Sequence, residues 1–307
     1  MAISRFSYAS MRVMELEAAI KHYTEVVGLR LVESDDQSAY FQADECQDHH
    51  CVIVNLSDRA GIDHVGFKVN DPSDLVEAAE AAAAWGLAVR DVPQGEIAGQ
   101  GPGVMITLPS SHNMLLFYHA DKIGYANGML NPSPGVSKNK VGAKVTHLDH
   151  TLLSCENAQP TVDFLTEVLD FSLTEKVVDP AGNIIAAFMS CTNTMHDLAL
   201  GPGPDGTFHH MAFGMHSRGE VLEGVDILKE DEVPALEYGV SRHGIAGVTT
   251  IYFHDPSGNR NEFFNGAYQA AGRPGLVPPI IWDVDNFPRG AFYYESSVPE
   301  AFFDQVT

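Results

Sequence analysis

Two histidines and one glutamate, His150, His210 and Glu262, stand on three short apolar runs in the second half of this 307-residue chain. Each run, LDHTLL, FHHMAF and NEFFN, reads as a strand. Two imidazoles and one carboxylate hold a divalent transition metal and leave several positions open. Non-haem iron(II) uses that arrangement to keep a substrate and O2 side by side. Three more residues able to handle protons, His196, His243 and Tyr252, are interleaved with the triad. The combination points to an oxygenase site.

The runs belong to an internal repeat. Residues 6–29, FSYASMRVMELEAAIKHYTEVVGL, align without a gap on residues 148–171, LDHTLLSCENAQPTVDFLTEVLDF. Each copy reads as a strand, a loop and an amphipathic helix, with Gly28 a fitting left-handed cap for the first helix. DHVGF (63–67) aligns with HHMAF (209–213), and VMITLPSSHNMLLF (104–117) with TIYFHDPSGNRNEFF (250–264). The pattern predicts four strand–helix–strand–strand–strand modules, beginning near residues 5, 62, 146 and 207. Between the halves, NGMLNPSPGVSKNK has the Pro, Gly, Ser and Asn content of a linker. We therefore expect an N-terminal domain over residues 1–135 and a catalytic C-terminal domain over 136–307.

Across the repeat, His150 falls on Tyr8, His210 on His64 and Glu262 on Leu115. One ligand type of three survives in the first half, so that half is expected to be metal-free and structural, with His64 packed or hydrogen-bonded. The CQDHHC run (46–51) lacks the CxxC or HxxxH spacing of a zinc site and is set aside.

Strand alternation selects among neighbours. His147 and His150 are an odd number apart and face opposite sides. His210 shares a face with the small Ala212 and Gly214, leaving room for a metal. His209, with Met211 and Phe213, reads as a stripe packed against a helix. Asp255, Pro256 and Gly258 match a type I turn, which would start a half-buried strand at Glu262, where a carboxylate needs a partner or a cation. Taken singly, His196 in TNTMHDLAL reads as a surface residue, His243 in SRHGIAG as a loop residue and Tyr252 as a core tyrosine with a local hydroxyl partner.

A net charge of −23 excludes nucleic acid as a partner. No apolar stretch approaches the roughly 20 residues of a membrane span, and the first residues lack the pattern of a secretory signal. Four scattered cysteines fit a reducing cytoplasm better than a disulfide scaffold. The aromatic tail from Pro278 onward is expected to pack on the protein without a barrel strand of its own, either walling the site's mouth or making a subunit contact.

LDHTLL, MHDLAL, FHHMAF, SRHGI and TIYFHDPSGNRNEFF together resemble the type I extradiol dioxygenases of the vicinal-oxygen-chelate superfamily, and within them the catechol 2,3-dioxygenases. The resemblance covers nearly the whole chain. It implies an α+β fold of four βαβββ modules in two open, barrel-like domains. It implies metal ligands at His150, His210 and Glu262, with Fe(II), or Mn(II), as cofactor. Catalytic roles fall to Tyr252 as a donor to the ionised substrate oxygen, His243 as a positioning group and His196 as an acid in O–O cleavage. The implied substrates are a catechol and O2, and the implied assembly is a homotetramer. Rival readings are an extradiol dioxygenase for a larger diol such as 2,3-dihydroxybiphenyl, a glyoxalase-like metal isomerase and a non-catalytic ligand-sequestering protein.

Overall fold

The computed structural model describes residues 3–123, 141–235, 239–269 and 278–307. The four expected modules are present in order. The first runs β1 (Ile3–Val13), α1 (Leu16–Lys21, continued by a π-helical turn, His22–Val26), β2 (Arg30–Ser34), β3 (Ser38–Gln42) and β4 (Val52–Leu56). The second is β5 (Gly61–Val69), α2 (Pro72–Ala84), β6 (Val89–Val92), β7 (Gly103–Thr107) and β8 (Asn113–Phe117). The third is β9 (His147–Cys155), α3 (Gln159–Glu167), β10 (Ser172–Val178), β11 (Ile184–Ser190) and β12 (Leu198–Pro202). The fourth is β13 (Thr207–Gly214), α4 (Arg218–Glu230), β14 (Ser241–Arg242), β15 (Val248–His254) and β16 (Arg260–Gly266). The predicted linker and the expected boundary at 135/136 fall on residues outside those described, apart from the flanks of the linker.

Local chemistry sets the helix ends. Asp71 and Asp74 form a reciprocal cap on α2 behind Pro72, and Ser217 and Glu220 do the same for α4. Gly28 has φ +88°, and a Cβ there would lie 2.6 Å from the Val141 carbonyl, so both conformation and close approach require glycine.

The strands form two open sheets, ordered β2-β3-β4-β1-β5-β8-β7-β6 and β14-β15-β16-β13-β9-β12-β11-β10, the second extended at β10 by a ninth strand from the tail. That strand, β17 (Ile280–Asp283), pairs in parallel with β10 and corrects the expectation of a strandless tail. Short helices α5 (Phe287–Ala291) and α6 (Ala301–Asp304) follow it. Tail packing is also uneven: Phe292 and Phe302 are buried, whereas Tyr293 and Tyr294 are exposed.

One continuous apolar core joins the faces on which the helices lie, and it includes residues of both halves, with Phe67 and Phe171 ring centroids 5.5 Å apart. The opposite faces differ. In the first sheet, Tyr8, Leu115 and Phe117 fill the space with their own side chains. In the second, a cavity remains. Among the described residues, no helix is long and apolar enough to cross a membrane.

Candidate metal centre

Neighbouring strands β9, β13 and β16 bring the triad together. Ala212 on β13 sits opposite His150 on one side and Glu262 on the other. His210, two residues before Ala212, shares its face. His150 Nε2 lies 3.5 Å and His210 Nε2 3.2 Å from the same oxygen, Glu262 Oε2. One donor atom from each residue falls within 4.8 Å of the others, and all three residues are buried. Thr250 donates to the second oxygen of Glu262. Among the described residues, no lysine or arginine forms an ion pair with this carboxylate. A buried carboxylate facing two buried imidazoles, with no fixed cation, is a donor set that fits a divalent metal.

Charge at the site follows from its neighbours. Burial disfavours the His150 imidazolium, but Asp149 and Glu262 overcome it and raise its pKa to about 9. Burial dominates at His210, which falls to about 4 despite Glu262. Glu262 is held well below the carboxylate range, because its histidine contacts outweigh burial. A proton on His150 and a divalent cation compete for one place, so metal binding there releases a proton.

The three interleaved residues converge on the same face. The His196 ring lies 4.1 Å from that of His150, and the residue is buried. Its single-residue reading as a surface histidine is therefore corrected. His243 Nε2 is 2.7 Å from the Tyr252 hydroxyl and 3.9 Å from Glu262 Oε1. Its Nδ1 hydrogen-bonds the Ala291 carbonyl in the tail. Burial raises the Tyr252 pKa well above normal, which keeps its hydroxyl protonated as a donor. All six residues line one cavity, whose other walls are apolar: Leu152, Phe188, Ile245, Val248, Phe287, Phe302 and Phe303 among them. Its space, open mouth included, is about 580 Å³, within the range of small-molecule pockets.

His209 is placed differently from its expected stripe. The β13–β9 register shifts between Phe208 and His210, so a bulge breaks the alternation at His209. Its Nδ1 lies 2.7 Å from His210 Nδ1, its ring packs on Phe302, and Arg260 donates to it at 2.9 Å. It sits behind His210 against the tail, where Phe302 and Phe303 belong to the short helix α6.

Comparison with known proteins decides the family. The glyoxalase/bleomycin resistance protein/dioxygenase superfamily model matches residues 147–263, and the catechol 2,3-dioxygenase-like N-terminal domain matches 62–122. A metapyrocatechase of Pseudomonas sp. (strain CF600) is 32% identical, covering 99% of both chains. The chain belongs to the extradiol dioxygenases. A manganese-dependent 2,3-dihydroxybiphenyl 1,2-dioxygenase of Geobacillus genomosp. 3 is 25% identical over 95% of this chain and 94% of its own. The structure of the 2,3-dioxygenase LapB from Pseudomonas sp. KL28 superposes with a TM-score of 0.87 at 36% identity, covering 94% of this chain and 99% of that one. Extradiol dioxygenases use a catalytic metal, and His150, His210 and Glu262 fit one.

In this dioxygenase the first half mirrors the site in altered residues. Tyr8 pairs with Gly66 and Gly66 with Leu115, the register that His150, Ala212 and Glu262 have in the second half. The Tyr8 hydroxyl is 2.9 Å from His64 Nε2. Val52 and Leu198 occupy equivalent places beside Ala9 and Thr151, so His50 of the CQDHHC run is the counterpart of His196. Among the described residues, the metal-type cluster is the second-half triad.

Sequence reasoning passed over several residues that build the site. Asp149 Oδ2 is 2.8 Å from His150 Nδ1, and its other oxygen is 3.2 Å from His147 Nε2. The signal was adjacency to a ligand. The DPSGN turn also fastens the two halves together: Tyr23 donates to Asp255 at 3.1 Å, and Asn259 bonds Arg12 and Gly61. Fully buried Arg260 donates to the carbonyls of Ala301, Phe302 and Gln305, clamping α6 over the cavity.

Proposed function

We propose that this extradiol dioxygenase is a catechol 2,3-dioxygenase. It would open catechol or an alkylcatechol beside its two hydroxyls, placing both atoms of O2 in a 2-hydroxymuconate semialdehyde. The observation that carries this is a buried His150–His210–Glu262 triad at the base of an apolar cavity that His196, His243 and Tyr252 also line. Family membership favours ring cleavage over the isomerase and ligand-sequestering alternatives.

His150, His210 and Glu262 would hold Fe(II), or Mn(II) as in the manganese-dependent relative, and the metal would acidify the catechol and bring ring and O2 into electronic contact. Tyr252 would donate a hydrogen bond from its hydroxyl to the ionised substrate oxygen. His243, fixed between the Ala291 carbonyl and Tyr252, would orient that oxygen. Burial, then the neighbouring His150 charge, hold the His196 pKa well below normal. A neutral imidazole there can accept a substrate proton and return it when the O–O bond breaks. Apolar walls would exclude water from the reacting ring.

The substrate class rests on the lining. Among the described residues no lysine or arginine lines the cavity, so a ring-bound carboxylate would find no cation among them to pair with. Phe287, Phe302 and Phe303 from the tail narrow it, which favours one ring over the biphenyl diol. The first half would be a structural, metal-free domain. A cytoplasmic homotetramer fits four free cysteines and the exposed Ile280 and Ile281 on edge strand β17. The test compares kcat/KM for catechol, 4-methylcatechol, 3,4-dihydroxyphenylacetate and 2,3-dihydroxybiphenyl. The single-ring uncharged diols should lead, and a preference for either of the other two would overturn the substrate reading.

A further inference from the structure

Strand β10 carries a carboxyl group that the ring-opening chemistry does not use. Glu175 is 1% exposed, and among the described residues no lysine, arginine or histidine is a hydrogen-bond partner of it. Three donors from three separate segments converge on it. Oε1 accepts from the Ala246 backbone N–H at 2.9 Å and the Tyr268 hydroxyl at 2.7 Å, while Oε2 accepts from Trp282 Nε1 at 2.6 Å. These come from the loop between β14 and β15, the segment after β16, and β17.

The loop is the part that needs holding. It carries His243, and its Ile245 and Ala246 line the cavity. Ala246 has φ +58° and Gly247 φ +72°, consecutive left-handed residues. That conformation costs an alanine free energy unless its surroundings impose it. On its other side the loop is gripped by the tail: Ile245 N–H donates to the Gly290 carbonyl at 3.1 Å, and Trp282 approaches the ideal Cβ position of Gly244 within 3.0 Å. Glu175 bonds both the strained loop and the tail residue that packs on it.

We propose that Glu175 is a positioning residue, a latch that fixes the His243–Ala246 loop and the aromatic tail as one wall of the substrate cavity. It touches neither the triad nor the substrate. Losing it should let the loop relax from the left-handed turn, carrying His243 and Ile245 away from the ring. The proposal rests on the catechol reading for its kinetic consequence, but the loop's order can be measured without a substrate.

The experiment uses the full-length metal-loaded enzyme with Glu175→Ala, Glu175→Gln and Trp282→Phe. Metal content per chain should match wild type in all three. KM for catechol should rise about tenfold in Glu175→Ala with kcat changed less, as expected for loss of hydrogen bonds to a charged acceptor. Glu175→Gln, which keeps one acceptor oxygen, and Trp282→Phe, which removes one donor, should show smaller rises. Hydrogen exchange in residues 242–248 should accelerate in the same order. If Glu175→Ala fails to fold, the two milder variants carry the test. An unchanged KM, whether or not the melting temperature falls, would overturn the latch. If the wild-type enzyme does not open catechol, the substrate reading fails by itself, and the exchange rates then decide: acceleration supports the latch and wild-type rates refute it.

Discussion

Replacing Asp149 with asparagine should weaken metal binding while leaving all three ligands in place. Asp149 is a half-buried residue of β9, and His147 and His150 together hold its pKa well below the carboxylate range although burial opposes this. It therefore acts as a carboxylate, accepting from His150 Nδ1 at 2.8 Å and so turning Nε2 toward Glu262. Asparagine keeps one acceptor but loses the charge, and its amide can present nitrogen to the ring instead. Carboxylates that orient a ligating histidine contribute about 10- to 100-fold in metal affinity, or about 1.4–2.8 kcal/mol. The assay is competition for Fe(II) against a chelator, run anaerobically at fixed pH. His147→Gln is the control, because it meets only the outer oxygen of Asp149 at 3.2 Å. Its affinity should change far less. Wild-type affinity in Asp149→Asn would refute the orienting role, and equal losses in both variants would show that ring orientation is not what matters.

Further outcomes follow from charge, the repeat and the tail clamp. Asp48 is buried beside Lys122, Arg5 and Lys68, which together lower its pKa against the opposing effect of burial. Its folded pKa lies below the unfolded value of about 4, so its contribution to stability is present above that pH and fades as pH falls through the folded value. Urea titrations should therefore show a wild-type advantage over Asp48→Asn at pH 7 that shrinks toward pH 3; a constant gap would contradict this. His64→Ala should leave one metal per chain, since Tyr8 and Leu115 complete no site; two metals per wild-type chain, falling to one, would refute a structural first half. Arg260→Met should cost about 3 kcal/mol or more in denaturant titrations by stripping donors from three tail carbonyls, and should raise KM because α6 carries Phe302 and Phe303. Unchanged stability and KM would show that the clamp is idle.

Much of the site was legible because it sits on strands. A period of two places His210 beside Ala212, as observed, but it fails between His147 and His150: a register shift leaves Asp149 as an extra residue, so His147 lies opposite Gly214 and His150 opposite Ala212, on one face. The same rule failed at His209, because a bulge inserts a residue and no local sequence signal marks it. Glu262 was readable from the turn before it, yet that turn's second task, binding Tyr23 and Arg12 across the halves, depends on contacts distant in sequence. His196 looked like a surface residue for the same reason: what buries it is the His150 ring on another strand. Strand β17 was missed because IIWD is short, half of its residues are exposed isoleucines, and its partner β10 is far away in the chain. Glu175 carried no motif at all. Its meaning lies in three donors that only the fold assembles.

The most direct measurement is to load the enzyme anaerobically with Fe(II), add catechol, then admit air while following O2 uptake and visible absorbance. The proposed chemistry predicts equimolar consumption of O2 and catechol with a yellow ring-fission product, and loss of both signals in Glu262→Gln. A fully loaded enzyme that takes up no O2, or a Glu262→Gln variant as active as wild type, would contradict it.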